Sequence, residues 1–243
     1  MMISRPDIVA IIPARGGSKR IPLKNLAPLQ GVPLVAHTIA AALESRHLGA
    51  VYVSTEDARI AAVARAAGAE VIERPEALAG DTSSTEAVLL HALRVIEGEN
   101  RTVDAICLLQ CTSPLRTAQT IDLCIDKLYD TGCDSVLSVT RDPALFWFGR
   151  LDGDRFSPGY DPADRPRTQQ IPPGYREDGS IYVMRRELLV EYGVRMGGDL
   201  RAVVQSPLES VDIDTPDDLH LADALMRSER RRSSGRRTGN KAA

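Results

Sequence analysis

Cations and glycines crowd one short segment near the amino end of the chain. Residues 13–25 read PARGGSKRIPLKN and carry Arg15, Lys19, Arg20 and Lys24 around two adjacent glycines. Glycine lets the backbone approach an anion closely, and four neighbouring cations are costly to leave without a counter-charge. We therefore predict that this segment binds a polyphosphate. Its spacing matches neither the P-loop nor the dinucleotide-binding pattern, and the alternative is a solvated basic turn.

Two acids near the other end of the chain could hold a metal ion. In an extended segment Asp212 and Asp214 project to the same side, where their carboxylates repel each other unless a cation lies between them. Hard oxygen ligands of this kind suit Mg²⁺. Acids at this spacing are also common on solvent-facing strands, so the pattern alone leaves both interpretations open. If both segments bind one triphosphate, Arg15 and Asp214 must share a cleft.

Neutral polar side chains follow a predicted central strand. Gln110, Thr112 and Ser113 could orient a polyhydroxylated substrate by hydrogen bonds. Thr112 and Ser113 could equally cap the next helix, whereas Gln110 has no such structural role. Further along, residues 177–183 read EDGSIYV, where the acid and glycine could form a turn and Tyr182 could belong to the core.

Strands and helices alternate along most of the chain. Apolar, β-branched runs predict strands at 8–13, 50–53, 69–72, 103–109, 135–140, 180–184 and 201–204. Helical patterns fall between them, and a last helix is expected over 219–226. We predict an α/β fold with three α/β/α layers and a mostly parallel twisted sheet. Ligands of such sheets bind beyond the carboxyl ends of the strands, where residues 13–25 begin.

The chain divides into one domain, an insertion and a tail. We assign residues 1–226 to a single domain, interrupted at 141–178 by a segment rich in Pro, Gly, Asp and Arg. Residues 227–243 carry a net charge of +6 and are expected to be disordered, which leaves −9 for the rest of the chain. That acidic body disfavours a nucleic-acid-binding protein.

Cysteine usage and hydropathy favour a cytoplasmic protein. Cys107, Cys111, Cys124 and Cys133 form no C-x-x-C pair, and no histidine cluster completes a zinc site. We expect buried thiols in a reducing compartment. No stretch has the length and hydropathy of a membrane span or a signal peptide, so no membrane association is expected.

Four motifs together resemble one family. PARGGSKRIPLKN, LLQCTSPLR, EDGSIYV and SVDIDTPDDL occur here in the order typical of the acylneuraminate cytidylyltransferases, the CMP-sialic acid synthetases, and the resemblance runs from Ile8 to about Leu225. It implies a fold like that of the nucleotide-diphospho-sugar transferases. It also implies a reaction of CTP with a nonulosonic, sialic-acid-like sugar acid that yields a CMP-sugar and pyrophosphate.

The resemblance assigns roles to individual residues. It implies that Arg15, Lys24 and Asp214 are catalytic and that Mg²⁺ is held by Asp212 and Asp214. The implied nucleotide-binding residues are Ala14, Arg15, Gly17, Ser18, Lys19, Asn25, Arg74 and Thr85. The implied residues for the sugar acid are Gln110, Thr112, Ser113, Arg167 and Tyr182.

The insertion is implied to carry a homodimer contact and to reach the partner's active site. Phe146, Trp147, Phe148 and Tyr160 are the expected interface anchors, the alternative being that they cover the chain's own sheet. Cys111 stands where the family usually has proline, and Arg167-Thr-Gln-Gln departs from its usual arginine pattern. Both departures concern the identity of the sugar rather than the reaction class.

Three other functions are alternatives to this one. A CMP-KDO-type synthetase would use an eight-carbon acid, against which Asn25 argues. A GT-A glycosyltransferase would use Asp212 and Asp214 as its D-x-D motif but leaves residues 13–25 unexplained. A non-catalytic nucleotide sensor would not need Arg15, Lys24 and both acids to be retained. No single residue stands out as the general base.

Overall fold

A seven-stranded sheet forms the centre of the molecule. The structure is a computed structural model that describes residues 6–239. The sheet strands are β1 (Ile8–Pro13), β4 (Ala50–Thr55), β5 (Glu70–Glu73), β6 (Ala105–Leu109), β7 (Ser135–Arg141), β10 (Tyr175–Arg185) and β11 (Leu200–Gln205). Their order is β11-β7-β10-β6-β1-β4-β5, and only β10 runs antiparallel to its neighbours.

Helices cover both faces of the sheet. They are α1 (Leu34–Leu43), α2 (Ala58–Ala66), α3 (Thr85–Gly98), α4 (Ala118–Thr131), α5 (Arg186–Tyr192) and α6 (Pro216–Gly239). Side chains of α1, α2 and α4 share one buried cluster with alternate residues of β1, and those of α3 and α5 share another with the remaining residues. This arrangement confirms the predicted three-layer α/β fold with a mostly parallel sheet.

The alternation along β1 explains why this strand is central. Its residues are buried on both faces, with Ile8 and Ile12 in the first cluster and Val9 and Ile11 in the second. Such two-sided burial is typical of strands in sheets that carry helices on both faces. The strand therefore ends at a well-fixed point, Pro13, from which the cationic segment departs.

A third, smaller apolar cluster joins residues 21–34 to residues 213–222. Ile213 has no exposed surface and packs with Ile21, Leu29, Leu34 and Ala222. Leu29 belongs to a short hairpin of β2 (Pro28–Leu29) and β3 (Val32–Pro33) that precedes α1. Burial of an isoleucine stabilises by about 1.5–3 kcal/mol. The cluster thereby holds the segment between the two acids against the cationic segment.

The excursion, defined as residues 142–174, lies outside the central sheet. It contains the hairpin β8 (Gly149–Asp152) and β9 (Arg155–Pro158). Phe146, Trp147 and Tyr160 contact one another, and the guanidinium of Arg165 lies 4.5 Å from the centre of the Trp147 ring. The aromatic residues thus pack within the excursion itself, which is four residues shorter at its carboxyl end than the predicted insertion because β10 begins at Tyr175.

The carboxyl-terminal helix is longer than the sequence predicts. Residues 227–243 were expected to be disordered, yet α6 continues to Gly239. Arginine is a good helix former, and Arg227 forms an ion pair of 2.7 Å with Asp223 one turn earlier. Residues 240–243 lie outside the described part of the chain. Within residues 6–239 no helix is both long and apolar enough to span a bilayer.

Candidate active site

One cavity gathers most of the chemistry-bearing residues. It measures about 490 Å³ and lies beyond the carboxyl ends of β1 and β6. Both Arg15 and Asp214 line it, although 199 positions separate them in the sequence. Its described lining contains five cations and two carboxylates, namely Arg15, Lys19, Arg20, Lys24, Arg74, Asp81 and Asp214. Such an excess of positive charge suits a polyphosphate.

The cationic segment meets the acidic pair at Asp214. Its Oδ1 lies 3.0 Å from Nζ of Lys24, and its Oδ2 lies 2.8 Å from Nη1 of Arg20. Nζ of Lys24 also donates a hydrogen bond of 2.9 Å to the carbonyl oxygen of Ile213. Because the Lys24 side chain is only 15% exposed, it has little freedom to leave this position. The lysine therefore presents a fixed charge to the cavity.

A second carboxylate neutralises the other cations of the cationic segment. Asp81 lies 2.9 Å from Nη1 of Arg15 and 2.5 Å from Nζ of Lys19. The hydrogen bonds from Lys19 and Arg15 lower the pKa of Asp81, so its carboxylate is charged at neutral pH. An incoming phosphate would compete with Asp81 for the same two cations.

Buried contacts fix the backbone of the cationic segment. Asn25 is buried, and its Nδ2 donates a hydrogen bond of 2.9 Å to the carbonyl oxygen of Arg15. A Cβ on Gly16 would lie 2.6 Å from Oδ2 of Asp57, a residue held in place by Arg59. Gly16 is therefore the glycine that the fold requires, whereas Gly17 has open space around it.

Arg74 lies deep in the wall of the cavity. The residue is buried, and its Nη2 donates a hydrogen bond of 2.6 Å to the carbonyl oxygen of Ser54. Burial and the nearby charge of Arg15 lower the pKa of Arg74. The arginine has no described carboxylate partner of its own, so it remains available to an anion in the cavity.

A buried arginine supports the loop that carries Gln110, Thr112 and Ser113. Arg116 has almost no exposed surface, and its guanidinium donates to the carbonyl oxygens of Gln110, Ser113 and Ser180. Burial lowers the pKa of Arg116 to about 10, which still leaves it charged at neutral pH. Sequence reasoning missed this role, although the position of Arg116 at the end of the LLQCTSPLR motif was a signal.

A β-bulge within β10 completes this support. The register between β10 and β7 shifts between Glu177 and Tyr182, where Gly179 has a φ of +74°. The buried carboxylate of Asp178 accepts hydrogen bonds from the Ser138 hydroxyl at 2.6 Å and from Nε2 of Gln205 at 2.7 Å. The bulge directs the Ser180 carbonyl toward Arg116. Residues 178–179 thus form a bulge inside a strand rather than a turn between strands.

The predicted site residues fall into two groups. The first group lines the cavity and consists of Arg15, Ser18, Lys19, Lys24, Asn25, Arg74, Thr85, Gln110, Thr112 and Asp214. The second group does not line it and consists of Ala14, Gly17, Ser113, Arg167, Tyr182 and Asp212. In the second group, Ser113 is fully buried and its hydroxyl has no hydrogen-bond partner among the described residues. Arg167 is exposed in the excursion.

Tyr182 belongs to the core rather than to the cavity wall. Its ring is buried in the cluster formed with α3 and α5, and its hydroxyl donates a hydrogen bond to Oε1 of Glu177. Burial and this carboxylate raise the pKa of Tyr182. In this position Tyr182 orients Glu177 at the start of the bulge.

The acidic pair has the donor atoms that Mg²⁺ prefers. The side chain of Asp214 is about half exposed at the cavity, and Asp212 is hydrogen bonded to Thr112. Removal of water around its carboxylate, and the nearby charge of Asp214, raise the pKa of Asp212. A cation between the two acids would relieve that repulsion. No group of three or more His, Cys, Asp or Glu residues arranged for a metal exists within residues 6–239.

The sheet order and the cation-lined cavity define a nucleotidyltransferase-like α/β protein. A family model described as "Cytidylyltransferase" matches residues 9–144. The chain is 36% identical over 225 residues to the CMP-N,N'-diacetyllegionaminic acid synthase of Legionella pneumophila, covering 90% of this chain and 96% of that protein. The chain belongs to the acylneuraminate cytidylyltransferase family.

Further relatives differ in length and in distance. The chain is 38% identical over 219 residues to N-acylneuraminate cytidylyltransferase A of Danio rerio, covering 89% of this chain and 50% of that protein. It thus spans about half the length of the first curated relatives that it matches. A solved CMP-2-keto-3-deoxy-manno-octonic acid synthetase complexed with CTP aligns with a TM-score of 0.70, 23% identity and coverage of 92% and 99%, which supports the fold.

Proposed function

We propose that this chain transfers the cytidylyl group of CTP to a nonulosonic, sialic-acid-like sugar acid, and that the products are a CMP-sugar and pyrophosphate. The observation that carries the proposal is the cavity in which Arg15, Lys24 and Asp214 meet. Membership of the acylneuraminate cytidylyltransferase family supplies the nucleotide. The names of relatives, N-acylneuraminate cytidylyltransferase among them, supply the class of acceptor.

The reaction requires charge neutralisation more than covalent help from the protein. The hydroxyl on the anomeric carbon of the sugar acid attacks the α-phosphorus of CTP; an O–P bond forms, the bond to the β-phosphate oxygen breaks, and the hydroxyl proton is released. Arg15, Lys19 and Arg74 would bind the phosphates, and Lys24 would stabilise the charge that grows on pyrophosphate. Gln110 and Thr112 would orient the sugar at the edge of the same cavity.

Magnesium dependence is part of the proposal. Asp212 and Asp214 would hold the ion, which when bound supplies Lewis-acid polarisation of a phosphate oxygen. Lys24 and Arg20 pair with Asp214 in the described geometry, so the charge of both cations would become available to the phosphates once the carboxylate has another partner. We assign no general base; a hydroxyl or water near Asp212 is the hypothesis that an Asp212→Ala variant tests.

The proposal includes a homodimer formed through the excursion. Leu151 on β8 and Phe156 on β9 are cross-strand neighbours, and both side chains are more than half exposed. Phe148 beside them is 61% exposed. An exposed apolar patch of this kind is typical of a protein interface.

The cytoplasmic location inferred from cysteine usage also stays a prediction.

A substrate panel tests the proposed function. The full chain is incubated with CTP, MgCl₂ and sialic, legionaminic, pseudaminic or eight-carbon KDO-type acids, and the CMP-sugar is detected by mass alongside pyrophosphate. We expect turnover with a nine-carbon acid and none with ATP or GTP. Turnover with the eight-carbon acid alone would instead establish the CMP-KDO-type activity. CTP binding without turnover of any acid would favour the nucleotide sensor.

A matched pair of lysine variants tests the assigned chemistry. Lys24→Met removes the charge beside Asp214 and should lower kcat/KM by about 10²–10³-fold, the usual cost of one transition-state charge contact. Lys127→Met on α4 removes a lysine that does not line the cavity and should leave the rate unchanged. An unaltered Tm in both variants shows that the loss is chemical.

A further inference from the structure

A second cavity borders the acidic pair. It measures about 370 Å³, and its lining includes Thr140, Arg141, Arg176 and Asp212. Asp214, two residues later, lines the nucleotide cavity. The backbone N–H of Ile213, between the two acids, donates a hydrogen bond of 2.8 Å to the carbonyl oxygen of Thr112. One short segment therefore borders both cavities and is tied to the loop that carries Gln110 and Thr112.

Two guanidinium groups in this second cavity are poorly paired. The side chain of Arg141 makes no hydrogen bond or ion pair with any residue that the structure describes. Arg176 has only two long contacts: its Nε lies 3.6 Å from Oδ2 of Asp142, and its Nη1 donates a hydrogen bond of 3.5 Å to the carbonyl oxygen of Glu177. By contrast, the arginines that pair with Asp7 and Glu97 have contacts of 2.6 Å and 2.5 Å. Arg141 and Arg176 thus keep their hydrogen-bond donors available.

A buried hydroxyl in the same wall also lacks a partner. Thr140 is 3% exposed, and its Oγ1 makes no hydrogen bond within the described residues. Thr140 stands directly opposite Arg176 in the antiparallel pairing of β7 and β10. A buried hydroxyl without a partner is costly, so it points to a polar group that enters from the cavity.

The chemistry of the acceptor fits this wall. In a 2-keto sugar acid the carboxylate and the reacting hydroxyl are attached to the same anomeric carbon. A group that recognises the carboxylate must therefore lie close to the acids at the reaction centre, as Arg141 and Arg176 do beside Asp212. Guanidinium groups bind carboxylates through paired hydrogen bonds.

We propose that Arg141 and Arg176 form the site that binds the carboxylate of the acceptor sugar acid. This inference rests on the proposed function, since it concerns the acceptor of that reaction. It assigns to the ends of β7 and β10 the role that the sequence had left to Arg167. Arg167 lies in the excursion and lines neither of the two cavities.

The test compares the acid with its methyl ester, which lacks the negative charge. In Arg141→Gln and in Arg176→Gln we expect the KM for the sugar acid to rise about ten- to hundredfold, while the KM for CTP changes less than about twofold. The preference of the enzyme for acid over ester should fall by a similar factor. Arg176→Lys, which keeps a charge, should recover part of the loss. Arg65→Gln, at an exposed arginine of α2 that lines neither cavity, is the matched control.

The outcomes separate this inference from the proposed function. An unchanged acid-to-ester preference in both glutamine variants overturns the inference and leaves the cytidylyltransferase proposal intact. An equal rise in the KM for CTP and for the acid indicates a structural role for the two arginines and also overturns it. If the wild-type chain turns over no sugar acid with CTP, the proposed function itself fails, and the inference fails with it.

Discussion

The cavity lined by Arg15 and Asp214 and the excursion use charged and apolar residues in opposite ways. Around the cavity, arginines and amides are buried and hydrogen bonded to backbone carbonyls, as Arg74, Arg116 and Asn25 illustrate. In the excursion, Phe148, Leu151 and Phe156 are more than half exposed. Polar side chains around the cavity are thus buried, where hydrophobic residues are usual. Apolar side chains in the excursion are exposed to solvent, where polar residues are usual.

The difference matches the roles proposed for the two regions. Transition-state charges must be met by groups that are already oriented, so the cavity depends on a buried framework that does not reorganise. A surface that binds a second protein must instead remain apolar and accessible until the partner arrives. Four variants test this difference between the buried framework and the exposed surface, and their expected effects decrease from Arg116 to Asp81.

Replacing Arg116 should damage the protein most. Arg116→Met leaves the buried carbonyls of Gln110, Ser113 and Ser180 without their donor, and we expect the free energy of unfolding to fall by about 3–5 kcal/mol. Urea unfolding measures the loss. Arg165→Met removes an exposed arginine of the excursion and should cost less than about 1 kcal/mol. Equal losses of unfolding free energy in the two variants would contradict the proposed difference between the cavity and the excursion.

Truncating Ile213 should have the next largest effect. Ile213→Ala opens a cavity in the small cluster that joins residues 21–34 to residues 213–222, and should lower the free energy of unfolding by about 3 kcal/mol. It should also lower kcat, because the cluster holds Asp214 beside Lys24. Val190→Ala, at an exposed aliphatic residue of α5, is the control and should alter neither quantity. An unchanged kcat in a destabilised Ile213→Ala protein would show that the cluster does not position the acids.

Introducing a charge into the exposed hairpin of β8 and β9 should affect only the association of the dimer. Leu151→Asp places a carboxylate in the apolar pair with Phe156 and should raise the dimer Kd at least about tenfold, measured by sedimentation. The Tm of the dissociated chain should change little, because Leu151 is 69% exposed. Ser157→Asp adds the same charge at an adjacent position of β9 as a control. A wild-type chain that sediments as a monomer would refute the proposed dimer.

Neutralising Asp81 should have the smallest effect and the opposite sign. Asp81→Asn removes the carboxylate that competes with phosphate for Arg15 and Lys19, so the Kd for CTP should fall about two- to fivefold. Because the pKa of Asp81 is lowered, the carboxylate stays ionised until the pH falls below the usual carboxylate range near 4. Calorimetry should therefore show the same gain at pH 6 and pH 8, and none for Asp130→Asn. Weaker CTP binding would show that Asp81 itself contacts the nucleotide complex.

Sequence reasoning predicted the framework because local signals were strong. The apolar run of β1 and the helical periods around it required a sheet covered on both faces. Asp57, Ser84 and Thr117 each cap a helix with a side-chain oxygen, as residues of their types do. The tail was expected to be disordered from its charge, yet α6 continues into it because arginine has a high helix propensity.

The amino-acid sequence by itself determined which chemical groups are present: a cationic glycine segment, an acidic pair and a polar loop, each recognisable from neighbouring residues. Only the tertiary structure decided that Ile213 brings the acids to Lys24, that Arg116 and Asp178 support the polar loop, and that Asp212 and Asp214 border different cavities. The physical reason is the range of the interactions. Helix caps and strand patterns depend on residues a few positions apart, whereas buried charges find partners across the whole chain, at separations that no local pattern records.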